Sequence, residues 1–150
     1  MDPYGTHQEA LAWAMAKVAN IEGSIVEAGC GWWSTPLLHG FAEGSGREIL
    51  SLDAYPEYLQ GFEARYGDTF HGFGDDQLEF SGVALALVDG GDPDRARYVN
   101  ALRGNCAYLV CHDTEATSRQ HYPGMEEALA LWPNRREFAR AYPNTTVVWS

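Results

Sequence analysis

The stretch SIVEAGCGWWSTPLLHGF, Ser24 to Phe41, decides how this chain is read. An apolar run ends in an acid at Glu27, glycines follow at positions 29 and 31, and helix-forming residues begin at Ser34 and Thr35. A strand that passes into a helix through so bare a backbone presents main-chain N–H groups and a helix N-terminus to a ligand. In an open parallel sheet, ligands sit beyond the carboxyl ends of the strands, where the strand order reverses.

The rest of the chain supplies the other layers of such a fold. Upstream, THQEALAWAMAKVAN (6–20) predicts a helix, with Thr6 and Glu9 spaced as a capping box and Leu11, Met15 and Val18 on one face. Strands are expected at Ser24–Ala28, Glu48–Asp53, Thr69–Phe73, Val83–Asp89 and Ala107–Cys111. Helices are expected between them at Thr35–Glu43, Glu57–Tyr66 and Asp94–Arg103, with another at Gly124–Leu131. Pro36, Pro56 and Pro93 stand near helix starts, where a missing N–H costs nothing. The runs VALALVD and AYLVCHD are almost continuously apolar, which implies burial on both faces and a parallel sheet between helices. In the tail, RREFARAY and NTTVVWS flank a Pro-Asn turn. A closing antiparallel hairpin is favoured there over a short basic helix, because it would cover Phe138 and Tyr142. The expected fold is α/β: one Rossmann-like, doubly wound, mostly parallel sheet over residues 1–150, with a C-terminal antiparallel strand or hairpin.

Composition narrows the class of partner. The 150 residues carry a net charge of −11, which works against a polyanion such as nucleic acid and favours a small uncharged or cationic ligand. Three scattered cysteines, with no Cys-x-x-Cys pair, read as reduced thiols rather than a disulfide framework or zinc site. No apolar run reaches membrane-spanning length and no leader-like segment opens the sequence, so the expectation is a cytoplasmic protein without a membrane partner.

The strand ends EAGCG, LDAYP, VDGGD and CHDTE form one polar rim. A dinucleotide fingerprint would carry a third glycine where Ser34 stands, and would give Glu27 no role. Asp53, at the end of the second strand, is placed to accept hydrogen bonds from ribose hydroxyls. Structural alternatives remain at this stage: a tight turn alone for the two glycines, and a helix cap for Asp53.

These four blocks, IVEAGCGWWSTPLL, LSLDAYPEYLQGF, LALVDGGDPDRARYVNAL and AYLVCHDTE, resemble the class I S-adenosylmethionine-dependent methyltransferases in order and spacing. VDGG with HDT is most similar to the branch that methylates small molecules and sugars on oxygen. The resemblance implies S-adenosylmethionine as cofactor. Its methionine part would lie on the backbone of Gly29, Cys30 and Gly31, with Glu27 holding the ammonium directly or through water. Ser34 and Thr35 would take the carboxylate and Asp53 the ribose. Asp75, with Asp76 the competing choice, would reach the adenine. His7 either lines the same pocket or merely belongs to the capping region.

For the chemistry, the resemblance puts Asp89, His112 and Asp113 at the rim as candidate catalytic groups. Asp89 and Asp113 would hold Mg2+, with His112 or Thr114 completing the set; alternatively His112 is a general base. A third reading has His112 and Asp113 only hydrogen-bonding the loop. An acidic-Pro-Pro-aromatic segment and a Pro-Cys nucleophile are both missing after the fourth strand, which disfavours nucleobase methylation. The chain offers little lid beyond residues 114–123 and the N-terminal helix. Either a second copy completes the pocket as a homodimer, with Trp13, Trp132 and Trp149 as surface or, at least as readily, as core, or the small-molecule acceptor is loosely held. A protein that binds the cofactor without transferring methyl groups is the alternative function, and a dinucleotide oxidoreductase a more distant one.

Overall fold

The computed structural model describes residues 5–67, 70–72, 79–91 and 95–150. Among them, seven strands form one sheet in the order β3-β2-β1-β4-β5-β7-β6. The parallel part comprises β1 (Ser24–Ala28), β2 (Ile49–Asp53), β3 (Phe70–Gly72), β4 (Val83–Val88) and β5 (Cys106–His112). The tail is a hairpin, β6 (Asn134–Phe138) and β7 (Thr145–Trp149), with β7 antiparallel to β5. The doubly wound sheet and the favoured hairpin are therefore both present. Phe138, the last residue of β6, is buried against Trp13 of the N-terminal helix, but Tyr142, at the hairpin's tip, is 66% exposed.

Among the described residues the helices are α1 (Gln8–Val18), α2 (Thr35–Ser45), α3 (Pro56–Tyr66), α4 (Arg95–Leu102) and α5 (Met125–Ala130). Two cores follow from the alternation of side chains along the strands. One joins Leu11, Val18 and Leu38 of α1 and α2 to Ile25, Leu85 and Val147. The other joins Tyr98, Val99 and Leu129 of α4 and α5 to Val26, Ala86 and Leu109. β4 is buried at every residue, as its unbroken apolar run requires. Each wholly buried leucine contributes about 2 kcal/mol by area removed from water.

One sequence reading is corrected. Thr6 does not cap α1: His7 is the residue before the helix, without a side-chain cap bond, because the Thr6 hydroxyl reaches across to His112 and the Pro143 carbonyl. Of the three tryptophans, Trp132 is in one core, while Trp13 and Trp149 are half-buried and pack against the other. Trp132 is 5% exposed, and Trp13 lies among Tyr108, Phe138 and Trp149 with ring centroids 5.6–6.0 Å away. All three cysteines are free; burial pushes the thiols of Cys106 and Cys111 up to about 12. Among the described residues, no helix is long and apolar enough to cross a membrane.

Candidate functional site

Strand order reverses between β1 and β4, since β2 and β3 lie to one side of that pair and β5 to the other. A cleft of about 650 Å³ opens at their carboxyl ends. Cys30, Gly31, Asp53 and Tyr55 line one flank, and Asp89, Gly90, Gly91, His112 and Asp113 the other. Trp32, Trp33, His7, Tyr122 and Pro143 close the walls. A second hollow of about 460 Å³ lies between residues 19–24 and 45–48. Arg47 there already serves the Gly23 and Val18 carbonyls, and no carboxylate and imidazole meet. The chemistry points to the first.

Asp53 stands where the sequence put it. Its Oδ2 accepts from the Cys30 N–H at 2.7 Å and its Oδ1 from the Tyr55 N–H at 2.8 Å. Each carboxylate oxygen keeps a lone pair for a ligand hydroxyl. Burial raises its pKa, partly offset by those backbone donors.

The two glycines divide the work. Gly29 has φ +104°, and a Cβ there would lie 2.1 Å from the Gly90 nitrogen, so its bareness serves the contact of two loops rather than a ligand. At Gly31 a Cβ would meet only Ser34 Oγ, at 3.5 Å, and that backbone does face the cleft.

Glu27, Ser34 and Thr35 are corrected in the same way. The Glu27 carboxylate is wholly buried beneath the first turn of α2, not presented to the cleft. The hydroxyls of Ser34, Thr35 and Ser51 all donate to it at 2.7–3.1 Å, and are thereby spent. Thr35 also accepts the Gly31 N–H at 3.0 Å, so the carboxylate anchors the glycine turn from below. Burial, only partly countered by the three hydroxyls, raises its pKa from 4.5 to about 7.

A pH signature follows. Between about 4.5 and 7 the folded chain keeps a proton that the unfolded chain has lost, so stability contributed by Glu27 falls as pH rises through that window. The full effect is on the order of 3 kcal/mol. Glu27→Gln removes this slope: in urea unfolding from pH 5 to 8, the variant gains on the parent as pH rises. Parallel curves would contradict the assignment.

On the other flank, His112 Nδ1 lies 2.8 Å from Asp89 Oδ1 and its Nε2 2.8 Å from Thr6 Oγ1. Burial pulls the His112 pKa down, but the hydrogen bond and charge of Asp89, with Asp113, outweigh it and raise it. His7 is 2% exposed and 3.4 Å from Asp89 Oδ2; burial dominates and lowers its pKa.

Asp113 Oδ1 comes within 3.6 Å of His112 Nδ1, but its other oxygen is held by an arginine. Arg95, 2% exposed, donates from Nη2 to Asp113 Oδ2 at 3.0 Å and to the Tyr122 hydroxyl at 2.9 Å. Its Nη1 and Nε reach the carbonyls of His112 and Gly90. A fixed cation thus stands on the carboxylate that was expected to share Mg2+ with Asp89. Thr114 is likewise turned away, accepting from Thr146 at 2.9 Å. The sequence reading missed Arg95 and Tyr122, and left His7 undecided. Asp75 and Asp76 lie outside the described residues.

No protein-family model matches the chain. No curated protein matches it by sequence either. Solved structures do. The O-methyltransferase from Bacillus cereus in complex with SAH superposes with TM-score 0.65 at 13% identity, over 100% of this chain and 82% of that one. The chain has the class I methyltransferase fold. TomG from Streptomyces achromogenes, an O-methyltransferase involved in tomaymycin synthesis and solved with SAM, gives 0.65 at 15%, over 98% and 86%. The CMeT domain of the citrinin polyketide synthase is larger: the chain spans 46% of it, covering 85% of itself, at TM-score 0.58 and 11% identity. At such identities the fold is what is shared, and fold alone does not set an acceptor.

Proposed function

We propose that this chain, residues 1–150 acting as one domain, is a methyltransferase that uses S-adenosylmethionine to methylate an oxygen of a small molecule. The observation that carries the reading is the Asp53 carboxylate beside Gly31, in an open cleft at the strand-order reversal. Its spare lone pairs suit the two ribose hydroxyls. The anionic end of the methionine would meet the backbone at the N-terminus of α2, since the Ser34 and Thr35 hydroxyls are spent on Glu27. Two fold neighbours of like size were solved with SAH and with SAM.

Methyl transfer is a direct displacement. The acceptor oxygen forms a bond to the methyl carbon as the carbon–sulfur bond breaks, and the sulfonium leaves as a neutral thioether. The chain's task is to orient the oxygen and remove its proton. Asp89, His7 and His112 converge on the cleft wall and supply the corner where that proton leaves. Trp32 and Trp33, 64% and 42% exposed at the cleft, offer flat apolar walls for a ring-bearing acceptor. The negative net charge keeps nucleic acid an unfavoured partner.

Thermal shift with S-adenosylmethionine, S-adenosylhomocysteine and NAD tests the cofactor, and turnover on a panel of phenols and sugars tests transfer. Stabilisation by NAD alone would overturn the reading. Cofactor binding with no turnover on any acceptor would favour a binding protein. Replacing Asp53 by Ala removes two charge-assisted bonds to ribose, so calorimetry should show affinity for S-adenosylhomocysteine falling by at least about 100-fold. Unchanged affinity would remove Asp53 from the site.

A further inference from the structure

His7, Asp89 and His112 come from the N-terminal segment, the loop after β4 and the end of β5, far apart in sequence. One donor atom from each lies within 4.8 Å of the others. His7 is the least finished of the three. Among the described residues no hydrogen bond reaches either of its ring nitrogens, although the side chain is buried. Leaving such atoms bare costs about 1–3 kcal/mol, so the ring is poised for something the protein itself does not supply.

The hydrogen positions around His112 say what that is. The Pro143 carbonyl can only accept, so the single hydroxyl proton of Thr6 goes to it, at 3.0 Å. Thr6 Oγ1 then accepts from His112 Nε2, at 2.8 Å, which places a hydrogen on Nε2. Nδ1 is left facing the Asp89 carboxylate, which also only accepts. A positive charge must lie between them. A ring proton would satisfy His112 and do nothing for His7. A divalent ion satisfies both rings and the carboxylate together.

We infer that His7, Asp89 and His112 form a binding site for a divalent transition ion of the zinc class, with a fourth position open to the cleft. Two imidazoles and one carboxylate suit such an ion, whereas Mg2+ prefers an oxygen shell. Bonds of about 2.0–2.2 Å place neighbouring ligand atoms about 3–3.5 Å apart. Asp89 Oδ1 lies 2.8 Å from His112 Nδ1 and Asp89 Oδ2 3.4 Å from His7 Nδ1, so each imidazole faces its own carboxylate oxygen at close to that range. The widest pair closes by about 1 Å on binding. The bond from His112 Nε2 to Thr6 is the outer contact that orients a ligating imidazole. Arg95 Nη2, 3.8 Å from Asp89 Oδ1, stands outside hydrogen-bond reach and leaves that oxygen free to coordinate.

An acceptor hydroxyl in the fourth position would be acidified by the ion and lose its proton to water at the cleft mouth. That role rests on the methyltransferase reading; the site itself does not. The test therefore uses the cofactor-free protein. After chelation and desalting, Zn2+, Co2+ and Mg2+ are titrated separately by calorimetry, with the visible spectrum recorded for Co2+. The expected result is one equivalent of Zn2+ or Co2+ and no saturable Mg2+ binding. His7→Ala and Asp89→Asn lose the binding, and His121→Ala, on the surface, keeps it. Should His7→Ala fail to fold, His7→Cys supplies a second readout, a thiolate-to-cobalt charge-transfer band absent from the parent. No stoichiometric Zn2+ or Co2+ binding would overturn the inference. So would binding that survives His7→Ala, or a His7→Cys protein that binds cobalt without the band. Thermal shift with S-adenosylmethionine on the same chelated sample reports separately on the cofactor.

Discussion

Gly29→Ala is expected to destabilise the chain by about 3–5 kcal/mol, or to prevent folding. Two independent costs add. The residue has φ +104°, a conformation that disfavours any side chain, and this alone costs about 1–3 kcal/mol. The new methyl group would also lie 2.1 Å from the nitrogen and 2.4 Å from the Cα of Gly90, and 2.6 Å from the Asp89 carbonyl carbon. All three are backbone atoms, so no side-chain rotation relieves the clash, and the loop carrying Asp89 would have to move. Gly40 and Gly44 give the contrast. Both lie in α2 with open space where a Cβ would stand, and Ala at either should stabilise by about 0.5–1 kcal/mol. Urea unfolding of the three variants makes the comparison. A Gly29→Ala protein within about 1 kcal/mol of the parent would mean that the loops after β1 and β4 do not touch as described.

What the sequence could and could not show divides along the range of the forces involved. Periodicity and apolar runs are local, and they placed β1 at its observed bounds and the other described elements to within a few residues. Asp53 was legible because its position at a strand end fixes the direction of its side chain. The roles of Glu27, Ser34 and Thr35 were not. Ser51, on the neighbouring strand, completes the ring of hydroxyls around Glu27, and with that partner in place the carboxylate stays inside. Thr6 was misread for a similar reason. A hydroxyl before a helix is normally its cap, but here a histidine 106 positions away in sequence takes it. Arg95 gave no signal at all. In GGDPDRARY it reads as an ordinary solvent-facing arginine at a helix start, and only the folded chain wraps four acceptors and an aromatic ring around it.

That burial makes Arg95→Ala the other severe substitution. The guanidinium ties the loop after β4, through the Gly90 carbonyl, to the end of β5, through the His112 carbonyl and the Asp113 carboxylate. It also lies 3.7 Å from the centre of the Tyr122 ring and donates to that residue's hydroxyl, which fastens the 114–123 segment over the same place. Removing it leaves a carboxylate and two carbonyls without their donor. Losing one partner of a buried ion pair costs about 3–5 kcal/mol, well above the typical surface substitution. Arg95→Lys should recover little of this, because one ammonium cannot reproduce a planar fork that serves four acceptors and stacks on a ring. Asp113→Asn should be milder, since an amide oxygen still accepts from Nη2. Urea unfolding orders the three as Ala, Lys, Asn from most to least destabilised. The same loops carry Asp89 and His112, so a folded Arg95→Lys protein should also bind S-adenosylhomocysteine more weakly, although Arg95 has no assigned contact with the cofactor. If Arg95→Lys instead matched the parent in both stability and affinity, a simple positive charge would suffice at this position, and the multidentate tie between the two loops would be discarded.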